Sequence, residues 1–429
     1  MKTVRILPTN LVGEVNIPSS KSMGHREIIC AGLAQGISIV DNISMSKDIE
    51  ATCRCLKALG VKIEQVPSRY EGRTALKITG SGELKACSSS VDCGESGSTL
   101  RFFIPLMALL GSEMKLIGHG KLVSRPLQAY YDIFDEQKLY YTTENGQLPL
   151  TVNGRLRPGK YTLPGDVSSQ FVSGLLFALP LLEGDSELVI ASPLESSSYV
   201  DLTLSCLKKY GILIENHQHQ VYKIKGGQKY LAQNSIVEGD WSQAAFWLAG
   251  GCLGGKLTLK GMDLDSLQGD KAVLDIMQKM NCRLQTAAEL KAEASEPQAV
   301  VIDASNCPDI IPVLTVLASV STGTTKIINA ARLRIKECDR LAAMTQELNK
   351  IGADITELED GLIINGRSWL KGDAQVDAWN DHRVAMSLAI AAVKCKAPII
   401  LTGAESVQKS YPDFWQDYQQ LGGKIEVLA

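Results

Sequence analysis

Basic side chains recur at the polar starts of apolar segments, or at the turns after the strands that follow them. The eight residues placed in this way are Lys21, Arg26, Arg101, Arg125, Lys336, Arg340, Arg383 and Lys409. A single basic residue is usually a solvated surface charge. Repeated placement of basic residues at such positions is more informative than a single one. The forked guanidinium of arginine, the ammonium group of lysine and helix N-termini all bind phosphate and carboxylate groups. The pattern therefore predicts a pocket for phosphate and carboxylate anions.

Acidic side chains accompany these cations in the C-terminal part of the chain. Asp309 lies in NCPDII, Glu337 lies in RIKECDR and Asp381 lies in NDHR. Asp309 fits either a helix N-cap or a proton acceptor, and its residue type leaves both open. Asp339 and Asp381 are interpreted as orienting the arginines beside them, and His382 is either structural or functional. The spacing of the His, Cys, Asp and Glu residues predicts no metal site.

A short unit recurs along the chain and organises these residues. It runs from a helix tail through a turn into an alternating strand, as in LKALGVKI, LKKYGILI, LNKIGADI and QQLGGKI. The turn residues are Gly60, Gly211, Gly352 and Gly422, with Asn281 at an equivalent place and a degenerate copy near Lys138. Units of about 70 to 75 residues account for the chain with six copies. Because glycine and asparagine tolerate left-handed backbone, each copy predicts a helix, a C-cap and a strand.

Upstream of each tail the sequence predicts a second helix with an apolar body. These helices span residues 19–36, 94–111, 165–184, 239–255, 308–323 and 380–395. Apolar residues on all sides predict burial, whereas first turns such as SSKS, GDVSS and WNDH are rich in N-cap residues. A predicted strand follows each of these helices. The predicted fold class is therefore α/β.

Composition limits the classes of protein to consider. The chain has 429 residues, of which 45% are hydrophobic and 21% are charged, and its net charge is −3. Two domains of about 200 residues are expected. The acidic balance disfavours nucleic acid as a partner, and no apolar run approaches the roughly 20 residues that span a bilayer. Eleven cysteines without a CxxC pair favour a reducing compartment, so a cytoplasmic protein without a disulfide framework is expected.

Nine motifs occur in an order that is typical of one family. They are IPSSKSMGHR, CGESGSTLR, SRP, VSSQF, SSSYVD, CPD, RIKECDR, NDHR and QKSYPDF. Over essentially its full length the chain resembles the 5-enolpyruvylshikimate-3-phosphate synthase family of enolpyruvyl transferases. The resemblance implies a two-lobed inside-out α/β barrel of six βαβαββ repeats with buried parallel helices. Three repeats form a middle lobe at 20–229, mainly for shikimate 3-phosphate. The other three form a second lobe at 1–19 plus 230–429, mainly for phosphoenolpyruvate and proton transfer.

The resemblance also implies residue roles, carried over motif by motif. Asp309 would be the base at the acceptor hydroxyl, with Glu337 and Lys21 sharing the acid role. The phosphoenolpyruvate-binding residues would be Lys21, Gly97, Arg125, Gln170, Arg340, Arg383 and Lys409. The residues binding shikimate 3-phosphate would be Ser22, Arg26, Ser168, Ser169, Gln170, Ser196, Tyr199, Asp309 and Lys336.

The reaction implied by the resemblance is an addition followed by an elimination, with inorganic phosphate released. It belongs to the shikimate pathway, which leads to chorismate and the aromatic amino acids and is the target of glyphosate. The two lobes would close on the two small-molecule substrates. No metal ion or organic cofactor is implied, and a monomer is expected.

Some residues depart from the commonest family pattern. Glu95 and Ser98 stand in place of Asn and Thr, Phe102 stands in place of Pro, and Arg332 replaces an Asn of some members. We expect Glu95 to face outward or to pair with Arg101, because an inward carboxylate would weaken phosphoenolpyruvate binding. These departures bear on glyphosate tolerance without giving its direction.

Two other functions are consistent with parts of the pattern. The sister transferase that acts on UDP-N-acetylglucosamine typically carries a reactive cysteine five residues before the Arg-Pro turn, where this chain has Gly120. A non-catalytic repeat protein that binds anions would lack acid and base residues, yet Asp309, Glu337 and Lys21 are present. Both alternatives are therefore disfavoured.

Overall fold

The computed structural model describes residues 2–287 and 289–428, and this part of the chain contains twelve α-helices. In chain order they are α1 (Lys21–Leu33), α2 (Lys47–Ala58), α3 (Gly97–Met107), α4 (Gln128–Gln137), α5 (Ser169–Ala178), α6 (Ser197–Lys209), α7 (Trp241–Gly254), α8 (Val273–Lys279), α9 (Ile311–Ser319), α10 (Arg340–Lys350), α11 (His382–Ala391) and α12 (Phe414–Gln420).

The strands are short and follow the helices closely. They are β1 (Val4–Leu7), β2 (Val12–Asn16), β3 (Gln35–Ile43), β4 (Lys62–Pro67), β5 (Thr74–Ser81), β6 (Ser90–Asp92), β7 (Met114–Ile117), β8 (Tyr140–Glu144), β9 (Gln147–Asn153), β10 (Lys160–Leu163), β11 (Ser186–Ile190), β12 (Ile214–His217), β13 (Val221–Ile224), β14 (Ser235–Ile236), β15 (Lys256–Lys260), β16 (Arg283–Gln285), β17 (Leu290–Glu293), β18 (Val301–Asp303), β19 (Thr324–Ile328), β20 (Ile355–Leu358), β21 (Gly361–Asn365), β22 (Ala374–Asp377), β23 (Ile399–Thr402) and β24 (Lys424–Val427). The mixed α/β class predicted from the sequence is confirmed.

The chain divides into two compact units. The continuous unit comprises Ser19–Val237, and the discontinuous unit comprises Met1–Pro18 together with Glu238–Ala429. The second crossing follows Val237, a little beyond the expected position near residue 230. It does so because β14 pairs with β3 of the continuous unit and keeps this stretch of chain there.

The three sheets of the continuous unit share one strand order. They are β14-β3-β5-β4, β6-β7-β9-β8 and β10-β11-β13-β12. In each sheet the first two strands pair in parallel and the remaining neighbours are antiparallel. The strands β6 to β9 and β10 to β13, with the helices between them, each follow a βαβαββ order along the chain.

The discontinuous unit repeats this strand order in three further sheets. They are β2-β15-β17-β16, β18-β19-β21-β20 and β22-β23-β1-β24. Only the second is contiguous in sequence, because β1 pairs with both β23 and β24, and β2 pairs with β15. The strand β2 precedes α1 yet joins the sheet of α7, and β14 precedes α7 yet joins the sheet of α1. These two edge strands are thus exchanged, a feature that the sequence analysis did not predict.

Six helices form the cores of the two units, as predicted. Almost every residue of α3, α5, α7, α9 and α11 is buried, as is α1 from Gly24 onward. The helices are shorter than predicted, because polar residues such as Ser20, Ser96 and Asp240 are N-caps that accept backbone N–H groups rather than helical residues. At Gly174 in α5, a Cβ atom would lie 2.4 Å from the carbonyl oxygen of Arg101, so α3 and α5 pack backbone to backbone.

The six predicted helix tails all turn through left-handed backbone. The four glycines have φ between 83° and 99°, Asn281 has φ 62° and Lys138 has φ 54°. The degenerate copy therefore keeps the repeat geometry without a glycine, at a conformational cost of about 1 kcal/mol. Within residues 2–287 and 289–428, no helix combines the length and apolar character needed to cross a bilayer.

Candidate active site

The discontinuous unit gathers charged side chains at the starts of its helices. Asp381 is the N-cap of α11 and accepts the backbone N–H of Arg383 at 2.7 Å. Arg340 is the first residue of α10, whose N-cap is Asp339. Asp309 lies two residues before α9, whose N-cap residue is Ile310. Helix starts of the repeated unit thus bring distant parts of the sequence together.

Arg340 is the centre of this cluster. Its side chain is only 1% exposed, and its Nε donates to Oδ2 of Asp381 at 2.8 Å. Its Nη1 donates to Oδ1 of Asp309 at 2.9 Å, and its Nη2 donates to Oε2 of Glu337 at 2.8 Å. One buried guanidinium therefore holds three carboxylates in fixed positions. Arginine is suited to this role because its planar guanidinium presents several N–H donors in a rigid arrangement.

Asp309 contacts a second guanidinium. Its Oδ2 accepts Nη2 of Arg383 at 3.0 Å, and its backbone carbonyl accepts Nη1 of the same residue at 3.0 Å. Burial alone would raise the pKa of Asp309. The positive charges of Arg383, Lys336 and Arg340 outweigh burial and hold that pKa well below its usual range. The carboxyl group is therefore ionised at neutral pH.

Two further contacts tie the cations of this cluster to their surroundings. Nη2 of Arg383 also donates to Oγ of Ser242 at 3.0 Å, and Ser242 in turn donates to Asp240 at 2.5 Å. Lys409, which is 6% exposed, donates from Nζ to the carbonyl oxygen of Asn380 at 2.6 Å. Asn380 directly precedes the Asp381–Arg383 segment, so Lys409 is held beside the start of α11.

Lys336 lies next to Asp309, with Nζ 3.9 Å from Oδ1 and a side chain that is 24% exposed. Burial lowers the pKa of Lys336 to about 8, with Arg332 and Arg340 also lowering it and Asp309 raising it. This lysine therefore changes its charge within the range of pH that enzymes commonly experience.

The continuous unit carries a second group of predicted residues at the start of α1. Lys21 donates to Oδ2 of Asp48 at 2.8 Å. Arg26 is 3% exposed and donates to Oγ1 of Thr203 and to the carbonyl oxygens of Ser22 and Tyr199, at 2.7 to 2.8 Å. Burial lowers the pKa of Arg26 to about 10. These contacts join α1 to α6 and bring three predicted ligands of shikimate 3-phosphate together.

Arg125 lies against the N-terminus of α3. The residue is 8% exposed, and its buried Nε finds no hydrogen-bond partner among the described residues. Gly97 makes this placement possible, since a Cβ atom there would lie 2.3 Å from Nη1 of Arg125. A buried guanidinium atom without an acceptor, beside the N–H groups of a helix start, favours an anionic ligand.

The starts of α3 and α5 are joined through Gln170. Its Nε2 donates to Oγ of Ser98 at 2.9 Å, and its Oε1 accepts Nη1 of Arg101 at 2.9 Å. Ser168 caps α5 by accepting the backbone N–H of Gln170 at 3.3 Å, and the adjacent Ser169 is 7% exposed. The predicted residues of VSSQF and GESGST are therefore in direct contact.

Ser196 precedes α6 in left-handed backbone, with φ 54° and ψ 43°. It is 2% exposed, and its side chain does not cap the helix. A serine in this conformation costs about 1 kcal/mol or more, and such strain concentrates at functional sites. The strain supports the expectation that Ser196 contacts a ligand.

The structure also shows partners that sequence reasoning missed. Asp48 holds Lys21, Thr203 holds Arg26, and Ser242 holds Arg383. Ser242 lies at the start of the helix predicted over 239–255, so its position was a usable signal. Asp48 and Thr203 lie in α2 and α6 without a distinguishing pattern, and only the packing of the helices reveals them.

Comparison with known proteins shows the family of this chain. The family model described as EPSP synthase (3-phosphoshikimate 1-carboxyvinyltransferase) matches residues 7–418. The chain belongs to the EPSP synthase family. A relative from Clostridium novyi, named 3-phosphoshikimate 1-carboxyvinyltransferase, is 51% identical over 430 residues and covers 99% of both chains. A relative of the same name from Clostridium kluyveri is 53% identical over 427 residues, again with 99% coverage of both.

Two solved structures resemble the chain over its full length. An EPSP synthase from Acinetobacter baumannii matches the whole chain with a TM-score of 0.83 and 27% identity, and is itself covered fully. The enolpyruvyl transferase NikO from Streptomyces tendae has a TM-score of 0.79 at 18% identity, covering 100% of this chain and 99% of that one. The second likeness shows a shared fold alone.

Glu95, which departs from the usual pattern of the EPSP synthase family, packs against Gly120. A Cβ atom on Gly120 would lie 2.6 Å from Oε2 of Glu95, and Gly120 has φ 55°. A cysteine at position 120 would therefore be strained by the left-handed backbone, and the carboxylate of Glu95 would have to move aside for it. Whether Glu95 stays away from bound substrate is still a prediction, which a crystal structure with substrate showing a Glu95 contact would contradict.

The charged cluster contains no set of metal ligands of the usual kind. Across residues 2–287 and 289–428, no three or more His, Cys, Asp or Glu side chains are grouped so that they could hold a metal ion. Ten of the eleven cysteines are buried and Cys87 is exposed, and all eleven are free thiols.

Proposed function

We propose that the chain transfers the enolpyruvyl (carboxyvinyl) group of phosphoenolpyruvate to the 5-hydroxyl of shikimate 3-phosphate and releases phosphate. This is the reaction of 3-phosphoshikimate 1-carboxyvinyltransferase in the shikimate pathway. The observation that carries the proposal is the family match over residues 7–418. The contacts of Asp309 with both Arg340 and Arg383 are consistent with it.

The proposed chemistry is an addition followed by an elimination. The methylene carbon of the enol gains a proton while the 5-hydroxyl attacks the adjacent carbon and loses its own proton. The tetrahedral intermediate then returns a proton from the methyl group, and phosphate departs as the double bond reforms. Asp309 is proposed as the base at the hydroxyl, and Glu337 and Lys21 share the acid role at the methylene carbon.

The low pKa of Asp309 has a direct bearing on its proposed role. A carboxylate surrounded by three cations is a weak base. Both substrates are anionic, so their phosphate and carboxylate groups would take up part of the positive charge of Arg340 and Arg383. The pKa of Asp309 would then rise, and its basicity would increase only when the substrates are bound.

The proposed binding residues fall into two sets. Phosphoenolpyruvate would be bound by Lys21, Gly97, Arg125, Gln170, Arg340, Arg383 and Lys409. Shikimate 3-phosphate would be bound by Ser22, Arg26, Ser168, Ser169, Gln170, Ser196, Tyr199, Asp309 and Lys336. We further propose that the three repeats of each unit form an inside-out barrel and that the protein is a monomer. Three sheets of one strand order in each unit support the barrel.

The acceptor could instead be UDP-N-acetylglucosamine. The relatives named above carry the other name, and the left-handed backbone at Gly120 disfavours the side chain typical of the sister enzyme. Phosphate release from phosphoenolpyruvate should therefore require shikimate 3-phosphate, and UDP-N-acetylglucosamine should not replace it. Release with the nucleotide sugar alone would overturn the assignment of acceptor, and release with neither would overturn the proposed function.

Replacement of Gly97 by alanine should raise the KM for phosphoenolpyruvate by about tenfold, with little loss of stability. Alanine favours the helical backbone at this position, but its Cβ atom would lie 2.3 Å from Nη1 of Arg125 and displace the guanidinium. Steady-state phosphate release and a thermal unfolding scan measure the two effects. A KM that stays within twofold of wild type would show that Arg125 does not bind phosphoenolpyruvate from its present position.

The KM for shikimate 3-phosphate should rise above about pH 8, where Lys336 loses its proton. With a pKa of about 8, roughly nine tenths of Lys336 is charged at pH 7 and roughly one tenth at pH 9. The neutral amine no longer attracts the substrate anion, so binding weakens as pH increases. Lys336→Arg should move this rise to higher pH in a pH profile of KM. Identical profiles for the variant and wild type would contradict the assignment.

A further inference from the structure

Glu347 is a buried carboxylate that the proposed chemistry does not use. It lies in α10, and its side chain is only 2% exposed. Its Oε1 accepts Nε1 of Trp379 at 2.8 Å, and its Oε2 accepts the backbone N–H of Asp377 at 3.0 Å. Lys350 donates to both oxygens, at 2.9 and 2.7 Å. Burying a carboxylate costs free energy unless hydrogen-bond donors compensate it, so the presence of Glu347 and its four donor contacts at this position requires an explanation.

The segment held by Glu347 contains two consecutive residues in left-handed backbone. Trp379 has φ 52° and Asn380 has φ 51°. A bulky residue with positive φ is a genuine outlier, and such strain costs on the order of 1–3 kcal/mol for each residue. Strain of this kind persists only where surrounding contacts enforce it. Here the contacts include those from Glu347 and a hydrogen bond from the Trp379 backbone N–H to Oδ1 of Asp377 at 2.6 Å. Backbone hydrogen bonds from Ala378 to Thr402 at 3.0 Å and from Asp381 to Ala378 at 2.8 Å also hold this turn.

The last residue of the strained segment contacts Lys409, a proposed ligand of phosphoenolpyruvate. The carbonyl oxygen of Asn380 accepts Nζ of Lys409 at 2.6 Å, and Lys409 is 6% exposed. The next residue, Asp381, starts α11 and contacts Arg340. The direction of the Asn380 carbonyl depends on the two left-handed residues, so the position of the ammonium group depends on them as well.

We propose that Glu347 is a positioning residue for the phosphoenolpyruvate site. By holding Trp379 and Asp377, it fixes the left-handed pair whose carbonyl directs Lys409. It acts through Asn380 and Lys409 and touches no substrate. This inference rests on the proposed function, in which Lys409 binds phosphoenolpyruvate.

The variant Glu347→Gln tests the proposal with almost no change in volume. An amide places an N–H donor where the carboxylate accepts from another N–H, so one of the two contacts to the segment is lost. We expect the KM for phosphoenolpyruvate to rise about tenfold, with kcat and the KM for shikimate 3-phosphate within about threefold of wild type. The matched control is Glu293→Gln on β17, which removes the carboxylate that pairs with Lys256 of β15 at the surface. It should leave all three constants unchanged.

A second pair of variants changes the backbone without touching Glu347. Asn380 is exposed, so substitution there spares the core. Valine strongly disfavours positive φ, whereas glycine accepts it. Asn380→Val should therefore raise the KM for phosphoenolpyruvate several-fold more than Asn380→Gly does. Equal effects of the two variants would overturn the role assigned to the left-handed backbone.

The outcomes distinguish this inference from the proposed function. If wild type releases phosphate as proposed but Glu347→Gln keeps its KM for phosphoenolpyruvate, the positioning role is wrong and the function stands. If kcat and both KM values change together, Glu347 has a general structural role and the inference is also overturned. If wild type is inactive, a crystal structure of Glu347→Gln decides. The distance from Nζ of Lys409 to the Asn380 carbonyl should then exceed 3.5 Å, and an unchanged 2.6 Å would overturn the inference.

Discussion

Arg340→Gln should lower kcat/KM by about 10³-fold or more and the free energy of unfolding by about 3–5 kcal/mol. The guanidinium of Arg340 is 1% exposed and contacts Asp309, Glu337 and Asp381. Glutamine cannot reach or neutralise three carboxylates, and Asp381 is fully buried. The carboxylates would repel one another, which affects both the fold at the starts of α10 and α11 and the geometry of Asp309.

Urea denaturation and steady-state phosphate release measure the two effects of Arg340→Gln. Arg334→Gln is a matched control, because Arg334 also contacts two carboxylates, Asp339 and Glu357, but is 28% exposed. The control should cost at most about 1 kcal/mol, since solvent screens such pairs. An equal loss of unfolding free energy in the two variants would show that burial does not increase the contribution of the Arg340 contacts to stability. If Arg340→Gln retains kcat/KM within tenfold of wild type, Arg340 is not part of the active site.

Asp309→Asn should lower kcat by about 10²–10⁴-fold without raising the KM for phosphoenolpyruvate. The amide keeps the volume of the side chain but cannot accept a proton from the acceptor hydroxyl. Its neutrality leaves Arg383, Arg340 and Lys336 with uncompensated positive charge, which favours anionic ligands. A fall in kcat without a rise in KM would mark a group that acts in the reaction step rather than in binding.

The same variant should shift the titration of Lys336. Asp309 raises the pKa of Lys336, so its removal should move the rise in the KM for shikimate 3-phosphate to below pH 8. Asp303→Asn is the control, because Asp303 ends β18 in the same segment and contacts Ser305 and Asn329 rather than the cations. Full turnover by Asp309→Asn would remove Asp309 as the base.

Local rules of backbone and burial were enough to predict much of the fold. Helix tails that end at Gly60 or Asn281 could be read from single residues, because left-handed backbone admits few residue types. The buried helices could be read from composition, because a helix that is apolar on every side has no solvated face. The exchange of β2 and β14 could not be predicted in this way. It depends on which of several similar edges a strand meets in three dimensions.

The candidate site also contains some residues that were predicted from the sequence and others that were not. The basic residues at helix starts were predicted, and the structure brings Arg340, Arg383 and Lys336 around Asp309 within one unit. Their supporting partners were not predicted, because Asp48 and Glu347 look like ordinary helix residues in sequence. What distinguishes them is burial and the donors that surround them, which only the packed structure supplies.

The strand order of the discontinuous unit has a consequence for protein synthesis. The strand β1 is synthesised before the continuous unit, whereas both of its neighbours, β23 and β24, are synthesised after that unit. The strands of the continuous unit all lie within residues 19–237, so they can pair with one another long before β1 finds its neighbours. Until β23 and β24 emerge from the ribosome, the strand VRIL has two unpaired edges, so its burial in the nascent chain waits for strands from the far end of the discontinuous unit.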